Sequence, residues 1–360
     1  MEIMSKTRHF SELLLKGAML LSLVAVFPSC GGDRPGVYSP PEFKETVEEE
    51  FEVISDEIYG VKAISDMVVY GSKVIVCALN HEDGTILHIY DKESGEPLMH
   101  TLNSGRGPKE LLFMEDLSLR QDTGTMTFFD LIASKRLDID VDGLMEHGLD
   151  AVEETYWQCP LWNSDNIVLK NGSLHINNVS YLQKDTSGVV RLELRDNDGN
   201  LLSTYNEFPV IDDDRKRYAI YTSPFVAVSP DEEKFAITAA RAGILETFSM
   251  KGGKLKNIAT KYFIEPDFTI EGDRFNYGNL LASFCDLCAT DDVIYVAYGG
   301  DGLMGSGYHN IAMFDWDGNP LKLMRTDYNI MRLDLDREED ALYAMILDSE
   351  GRPYIGRIRL

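Results

Sequence analysis

Several places in the chain carry residue types whose spacing could do chemistry. Cys285-Asp286-Leu287-Cys288 has the C-x2-C spacing of a metal ligand pair. A zinc ribbon needs a second such pair, and Cys77 and Cys159 stand alone. On a strand, residues three apart point to opposite faces, so this pair reads as two small core side chains and no metal site is expected. Gly105-Arg106-Gly107-Pro108 has the glycines of a phosphate loop. Such a loop needs consecutive amides at a helix N-terminus, and Pro108 removes one donor. It reads as a rigid crossover, with Arg106 kept as a candidate ligand contact. Asp196-Asn197-Asp198-Gly199-Asn200 looks like the start of a calcium loop with Glu207 near its close, but the same turn grammar recurs at the other hairpins without that Glu. Turn chemistry explains it. None of the 7 His lies at i, i+4 from another, and no Gly-x-Ser-x-Gly elbow occurs. Catalytic residues therefore cannot be assigned from spacing, the chain reads as more a binder than an enzyme, and no cofactor is expected.

What does gather is Arg with Tyr, in long polar connections. Residues 212–221 carry Arg215, Arg217, Tyr218 and Tyr221; residues 271–277 carry Arg274; residues 299–309 carry Tyr308 and His309. The connection 178–188 belongs with them. Arg and Tyr supply hydrogen-bond donors on flat faces that stack, which suits an anionic or hydroxyl-rich ligand: a glycan, a peptide or a protein surface.

The elements that must position these residues are read from the turns. Asp315-Trp316-Asp317-Gly318-Asn319 sits between two apolar runs, as a tight hairpin requires. The signal recurs at residues 91–95, 140–143, 196–200, 250–253 and 348–351. Short apolar segments with period-2 alternation fill the intervals, and helical periodicity is nearly absent after Cys30, with 108–113 and 277–284 as candidate exceptions. Units at about residues 66–102, 114–146, 165–206, 223–263, 284–327 and 330–360 each offer about four strands, except the last, which offers three. An all-β, six-bladed β-propeller results, its ring closed when the strand-like residues 51–55 complete the last blade. The long connections then share one end of the axis, and the turns carrying Asp142, Asp198 and Asp317 share the other.

The net charge of −26 argues against a nucleic-acid partner and against electrostatic docking on anionic lipid. Lys6, Arg8 and Lys16 precede an apolar run from Ala18 to Phe27, too short to span a bilayer and suited to a signal segment. Pro28-Ser29-Cys30 follows, and resembles the lipobox of bacterial lipoproteins, which implies cleavage before Cys30 and acylation of its thiol. The expected organisation is a signal peptide over 1–29, a tether over 30–49 whose removal costs little stability, and the propeller over 50–360.

With Cys30, the segment Gly105-Arg106-Gly107-Pro108-Lys109-Glu110-Leu111 is similar to the linker after the first blade in the TolB-like six-bladed propeller lipoproteins of Bacteroidetes, with Lys109 and Leu111 standing where that family has Gly and Phe. The resemblance implies fold and location: a monomeric binding module in the cell envelope, on the periplasmic side or the outer-membrane surface, touching the membrane through its lipid alone. The alternative is an enzyme, such as a glycan lyase, hydrolase or lactonase, working at the axial mouth. Cys30→Ala should move the protein from the membrane fraction to the soluble fraction and abolish incorporation of labelled palmitate. Equal partitioning of mutant and wild type would contradict the anchor.

Overall fold

The computed structural model describes residues 36–360 except 59–62, 80–83, 113–114, 131, 157–163, 178–189, 212–213, 222–223, 240, 273, 301 and 304. The signal segment, Cys30, Cys159 and the connection 178–188 lie outside the described residues. Among those described, no helix is long and apolar enough to cross a membrane.

Six blade sheets follow one another along the chain, and a two-stranded ribbon, Thr269–Glu271 with Arg274–Asn276, stands in the connection between the fourth and fifth. Blade 1 is Ala63–Tyr70, Lys73–Leu79, Thr85–Asp91 and Pro97–Asn103; blade 2 is Glu115–Arg120, Thr125–Asp130, Lys135–Asp140 and Val152–Tyr156. Blade 3 is Ser164–Leu169, Gly172–Asn177, Leu192–Arg195 and Leu201–Tyr205; blade 4 is Pro224–Val228, Lys234–Ala239, Gly243–Ser249 and Lys256–Ile264. Blade 5 is Phe284–Ala289, Val293–Tyr298, Asn310–Asp315 and Pro320–Arg325, and blade 6 is Asn329–Asp336, Ala341–Leu347 and Pro353–Arg359. The first strand of each blade is innermost, and those of blades 2 and 3, 4 and 5, 5 and 6, and 6 and 1 pack directly on one another. The second and third strands alternate apolar side chains to both faces, so each buries residues against both neighbouring blades, as in Lys73–Leu79 with Val74 and Val76 on one side and Ile75 and Cys77 on the other.

The ring closes as the strand count requires. Glu52 and Val53 pair antiparallel with Arg357 and Gly356, giving blade 6 its fourth strand from the other end of the chain. Gly356 is needed there, because a Cβ would lie 2.9 Å from the Phe51 ring. Arg357 locks the joint by bonding Glu52 at 3.0 Å and Glu93 of blade 1 at 2.9 Å.

Three expectations are corrected. Residues 36–49, read as tether, lie along the propeller. Ser39 N donates to Tyr262 O, Phe43 packs on Phe314 and Tyr298, and Glu45–Glu48 pairs in parallel with Lys322–Arg325. Two spaced aromatics and one short strand carry too little periodicity to stand out in an acidic sequence. The Asp140–Gly143 turn is instead the start of a helix, Val141–His147, because Val141 and Leu144 lie one turn apart and both bury in the core between blades 1 and 2. The connection 212–221 likewise contains a helix, Asp214–Ile220, whereas 108–112 and 277–283 show none.

Deleting residues 31–49 should therefore destabilise the protein. It uncovers the edge strand Pro320–Arg325 and removes Phe43, and a fall in melting temperature of roughly 5 °C or more is expected in thermal denaturation. Deletion through Ser55 should add aggregation, because it uncovers Pro353–Arg359 as well. Unchanged melting in the shorter deletion would return the segment to a mere tether.

Candidate functional site: the axial pit

The innermost strands turn one edge to the axis, where no further strand can satisfy their amides and carbonyls. Side chains from the preceding blade do so. Asp286 Oδ2 of blade 5 accepts Leu333 N of blade 6 at 2.8 Å, and Asp334 Oδ2 of blade 6 accepts Val69 N of blade 1 at 2.7 Å. Asp66, at the equivalent place in blade 1, accepts Met67 N at 2.8 Å. Arg332 reaches across to donate from Nε to Ser65 O at 2.8 Å and from Nη1 to Met331 O at 2.6 Å.

Three carboxyls and one guanidinium thus meet deep on the axis. Burial pushes Asp66 up to about 7, helped by the neighbouring Asp286 and opposed by Arg332. Burial likewise pushes Asp286 up to about 6 and Asp334 up to about 6. Near neutral pH carboxyls raised in this way keep part of their protons, and a protonated one can donate a hydrogen bond as well as accept.

Below the cluster the axis widens into a pit of about 960 Å³, lined in part by Asp334, that opens at the end where first and second strands turn. Met67, Leu117, Leu119, Leu287 and Leu333 form apolar parts of its wall, and Arg120, Asp122, Lys170, Arg195, Glu232 and Arg337 contribute charge toward its mouth. Part of that charge is internally matched. Arg120 pairs with Asp122 at 2.7 Å, and Glu232 accepts Lys170 N at 2.8 Å. Arg337 is exposed on the rim. Asp142 lies at this same end, bonded to Lys73 at 2.9 Å, and so does the Asp315–Asn319 turn, whose Trp316 indole donates to Thr290 O.

The residues singled out by spacing fare differently. Cys285 and Cys288 are buried free thiols on an inner strand, burial pushing Cys285 up to about 12. No group of three or more metal-type ligands forms among the described residues. The residue of interest in that motif is Asp286, between the two cysteines. A carboxylate inside an otherwise apolar strand, at 66, 286 and 334, was the available signal. The Gly105–Gly107 cradle is filled by its own chain, since Glu110 Oε2 accepts Gly107 N at 2.7 Å. The Asp196 turn is self-satisfied, its Oδ1 accepting Asp198 N and Asn200 N.

The Arg and Tyr candidates all fall in connections at the end opposite the pit mouth. Arg106, Arg215 and Arg274 are exposed there. Tyr221 is buried, donating to Glu246, which also pairs with the buried Arg191. Arg217 lies 5.4 Å over the Phe208 ring beside them. Tyr308 donates its amide to Asn329 and packs on the core of blades 5 and 6, while the His309 ring meets Tyr328 O at 3.0 Å. The side chain of Tyr218 lies outside the described residues. Tyr221 thus spends its hydroxyl inside the fold.

The axial carboxyls carry a stability signature. A carboxyl held above its ordinary 3.8 binds, in the folded state, a proton that the unfolded chain releases. Its effect on folding is therefore neutral near pH 4 and increasingly unfavourable as pH rises toward 7. Asp66→Asn should melt close to wild type at pH 4.5 and a few degrees above it at pH 8. A gap that does not widen with pH would show that Asp66 ionises normally.

The family model described as TolB-like 6-blade propeller-like matches residues 42–338, more than half of the chain. No curated protein matches the sequence. Among solved structures, similarity extends to a protein of Bacteroides fragilis designated as exported, at 10% identity over 88% of this chain and 99% of that one with a TM-score of 0.56. It extends also to the Cps50 (Swd1) propeller domain of a Myceliophthora thermophila protein, at 12% identity over 85% and 99% with a TM-score of 0.51. A gluconolactonase of Xanthomonas campestris matches at 12% identity over 91% and 99% with a TM-score of 0.50. At such identities these likenesses concern the fold alone. With six blades and an N-terminal strand closing the last of them, the chain belongs to the TolB-like six-bladed propeller family.

Proposed function

We propose that this propeller is an exported binding module, lipid-anchored through Cys30 in the cell envelope, which seats a polar ligand in its axial pit. The observation that carries the reading is a cavity of about 960 Å³ whose wall includes Asp334, a carboxyl coupled electrostatically to Asp66 and Asp286 deeper on the axis. Carboxyls that are partly protonated near neutral pH match the hydroxyls of a glycan, which both donate and accept. The apolar wall suits the face of a sugar ring, and the charged rim would fix its orientation. Export is supported by the Bacteroides fragilis relative and by the signal-like N-terminus. The exposed Arg106, Arg215 and Arg274 at the opposite end offer a second, shallower contact surface for a peptide or protein.

A second reading is enzymatic. Asp66, at about 7, has the proton affinity of a general acid or base at neutral pH, and the lactonase that shares the fold gives this reading a chemical class.

A glycan and peptide array with the mature domain tests both. Glycan binding lost in Asp334→Asn and in Arg337→Glu, and retained in Asp66→Asn and in a double Arg106→Ala, Arg274→Ala variant, is the expected result. Loss confined to the double variant would move the ligand to the opposite end. Turnover of a bound glycan or lactone that Asp66→Asn abolishes would establish the enzyme.

A further inference from the structure

Five of the six junctions between blades are sealed by hydrophobic clusters among the described residues. Ile75 and Leu87 meet Met126 and Phe128 between blades 1 and 2, and Leu174 and Leu192 meet Phe235 and Phe248 between blades 3 and 4. Comparable clusters join blades 4 and 5, 5 and 6, and 6 and 1. The junction between blades 2 and 3 differs. Blade 2 turns Thr127, Arg136 and Asp138 toward it, with one buried ring, Phe129, under the Arg136 guanidinium at 5.8 Å, and blade 3 turns Ser173, His175 and Glu193. This follows from register, because the alternate residues of the same strands, such as Phe128 and Leu137, or Leu174 and Ile176, are buried in the clusters on the other sides.

Each of these polar faces satisfies its charges within its own blade. Arg136 bonds Asp138 at 2.7 Å, and Thr127 Oγ1 donates to the same carboxylate at 2.6 Å. On blade 3, Arg195 Nε donates to Glu193 at 2.9 Å, and His175 stands between Ser173 at 2.8 Å and Asn166 at 2.5 Å. Across the junction, Ser118 Oγ accepts Val168 N at 3.1 Å and donates to Asn166 O at 3.4 Å, close to the axis. That tie is the counterpart of the carboxylate tie from Asp334 to Val69, made by a neutral hydroxyl at longer range. Asn177, 7% exposed and on the same face of blade 3, has no protein donor to its Oδ1.

We propose that the ring opens at the junction between blades 2 and 3, and that this opening widens the axial pit. Parting two apolar faces exposes a whole cluster of hydrocarbon to water, whereas parting these two exposes the single Phe129 ring and, for the rest, groups already paired internally that water solvates well. Water entering the gap takes over the two bonds of Ser118 and reaches Asn177 Oδ1. The pit wall spans the junction, with Arg120 and Asp122 on blade 2 and Lys170 and Arg195 on blade 3, so a relative movement of the two blades changes its bore. The opening is a property of the unliganded ring and stands whether or not a glycan is the ligand.

Hydrogen exchange on the wild-type protein tests it without mutation. The Val168 amide should exchange about ten-fold faster than the Val69 amide, which occupies the equivalent place in blade 1. Exchange no faster than that of Val69 would overturn the proposal. A second measurement lies away from the axis, so that a locally weak bond at Ser118 cannot mimic the result. Thr127→Cys places a thiol in the polar junction, and native Cys77, fully buried between blades 1 and 2, is its internal control. Under native conditions, with labelling resolved by peptide mass, Cys at 127 should react about ten-fold faster than Cys77, and faster again when Ser118→Ala is added. Labelling at or below the rate of Cys77 would overturn the opening.

Discussion

The constraint on which this structure rests is the inward edge of the first strand in each blade. A closed ring removes most sheet edges, yet it leaves backbone donors and acceptors facing the axis, where a neighbouring strand cannot reach them. In blades 5 and 6 the answer is a carboxylate sent to the amide of the next blade, from Asp286 to Leu333 and from Asp334 to Val69. These bonds hold adjacent blades in register at the axis. They also place charge where water is scarce, so the same residues that tie the ring have carboxyls far from their ordinary range. Arg332 offsets part of that cost from within the cluster. The axial carboxyl cluster is therefore a by-product of closing the ring, kept at some expense in stability at neutral pH.

The outward edges meet a different solution. The N-terminal segment runs past the outer strands of blades 4, 5 and 6 in turn, bonding Tyr262 O, pairing with Lys322–Arg325, and finally completing blade 6. Aromatic side chains fasten it, Tyr38 edge-on to Tyr262 and Phe43 against Phe314. The polar junction between blades 2 and 3 lies on the part of the ring this segment does not bind, so the covered and the polar portions are distinct.

The repeating architecture was legible because its signals are short-range. An Asp or Asn side chain that bonds the amides two to four residues on, as at Asp196, Asp315 and Asp348, fixes a turn by itself. Alternation of apolar residues between turns fixes strands, and a last unit one strand short points to residues near 51–55 as its completion. Where local rules compete, the reading failed. Asp140–Gly143 has a turn composition, yet burial of Val141 and Leu144 against the core makes it a helix.

The sequence by itself thus determined the blades, their number and the ends to which the turns and long connections belong, since hydrogen bonding within a few residues and period-2 burial decide these. Only the tertiary structure decided which residues share the axis. Asp66 is separated from Asp286 and Asp334 by most of the chain, and each alone is an ordinary polar residue in a strand. Their meeting depends on the inner strands of blades 5, 6 and 1 being brought side by side when Glu52–Val53 closes the ring, a long-range event that no local pattern encodes. Tyr221 shows the same limit in reverse: its type and loop position marked it for a ligand, and the packing of Glu246 and Arg191 around it assigned it to the core.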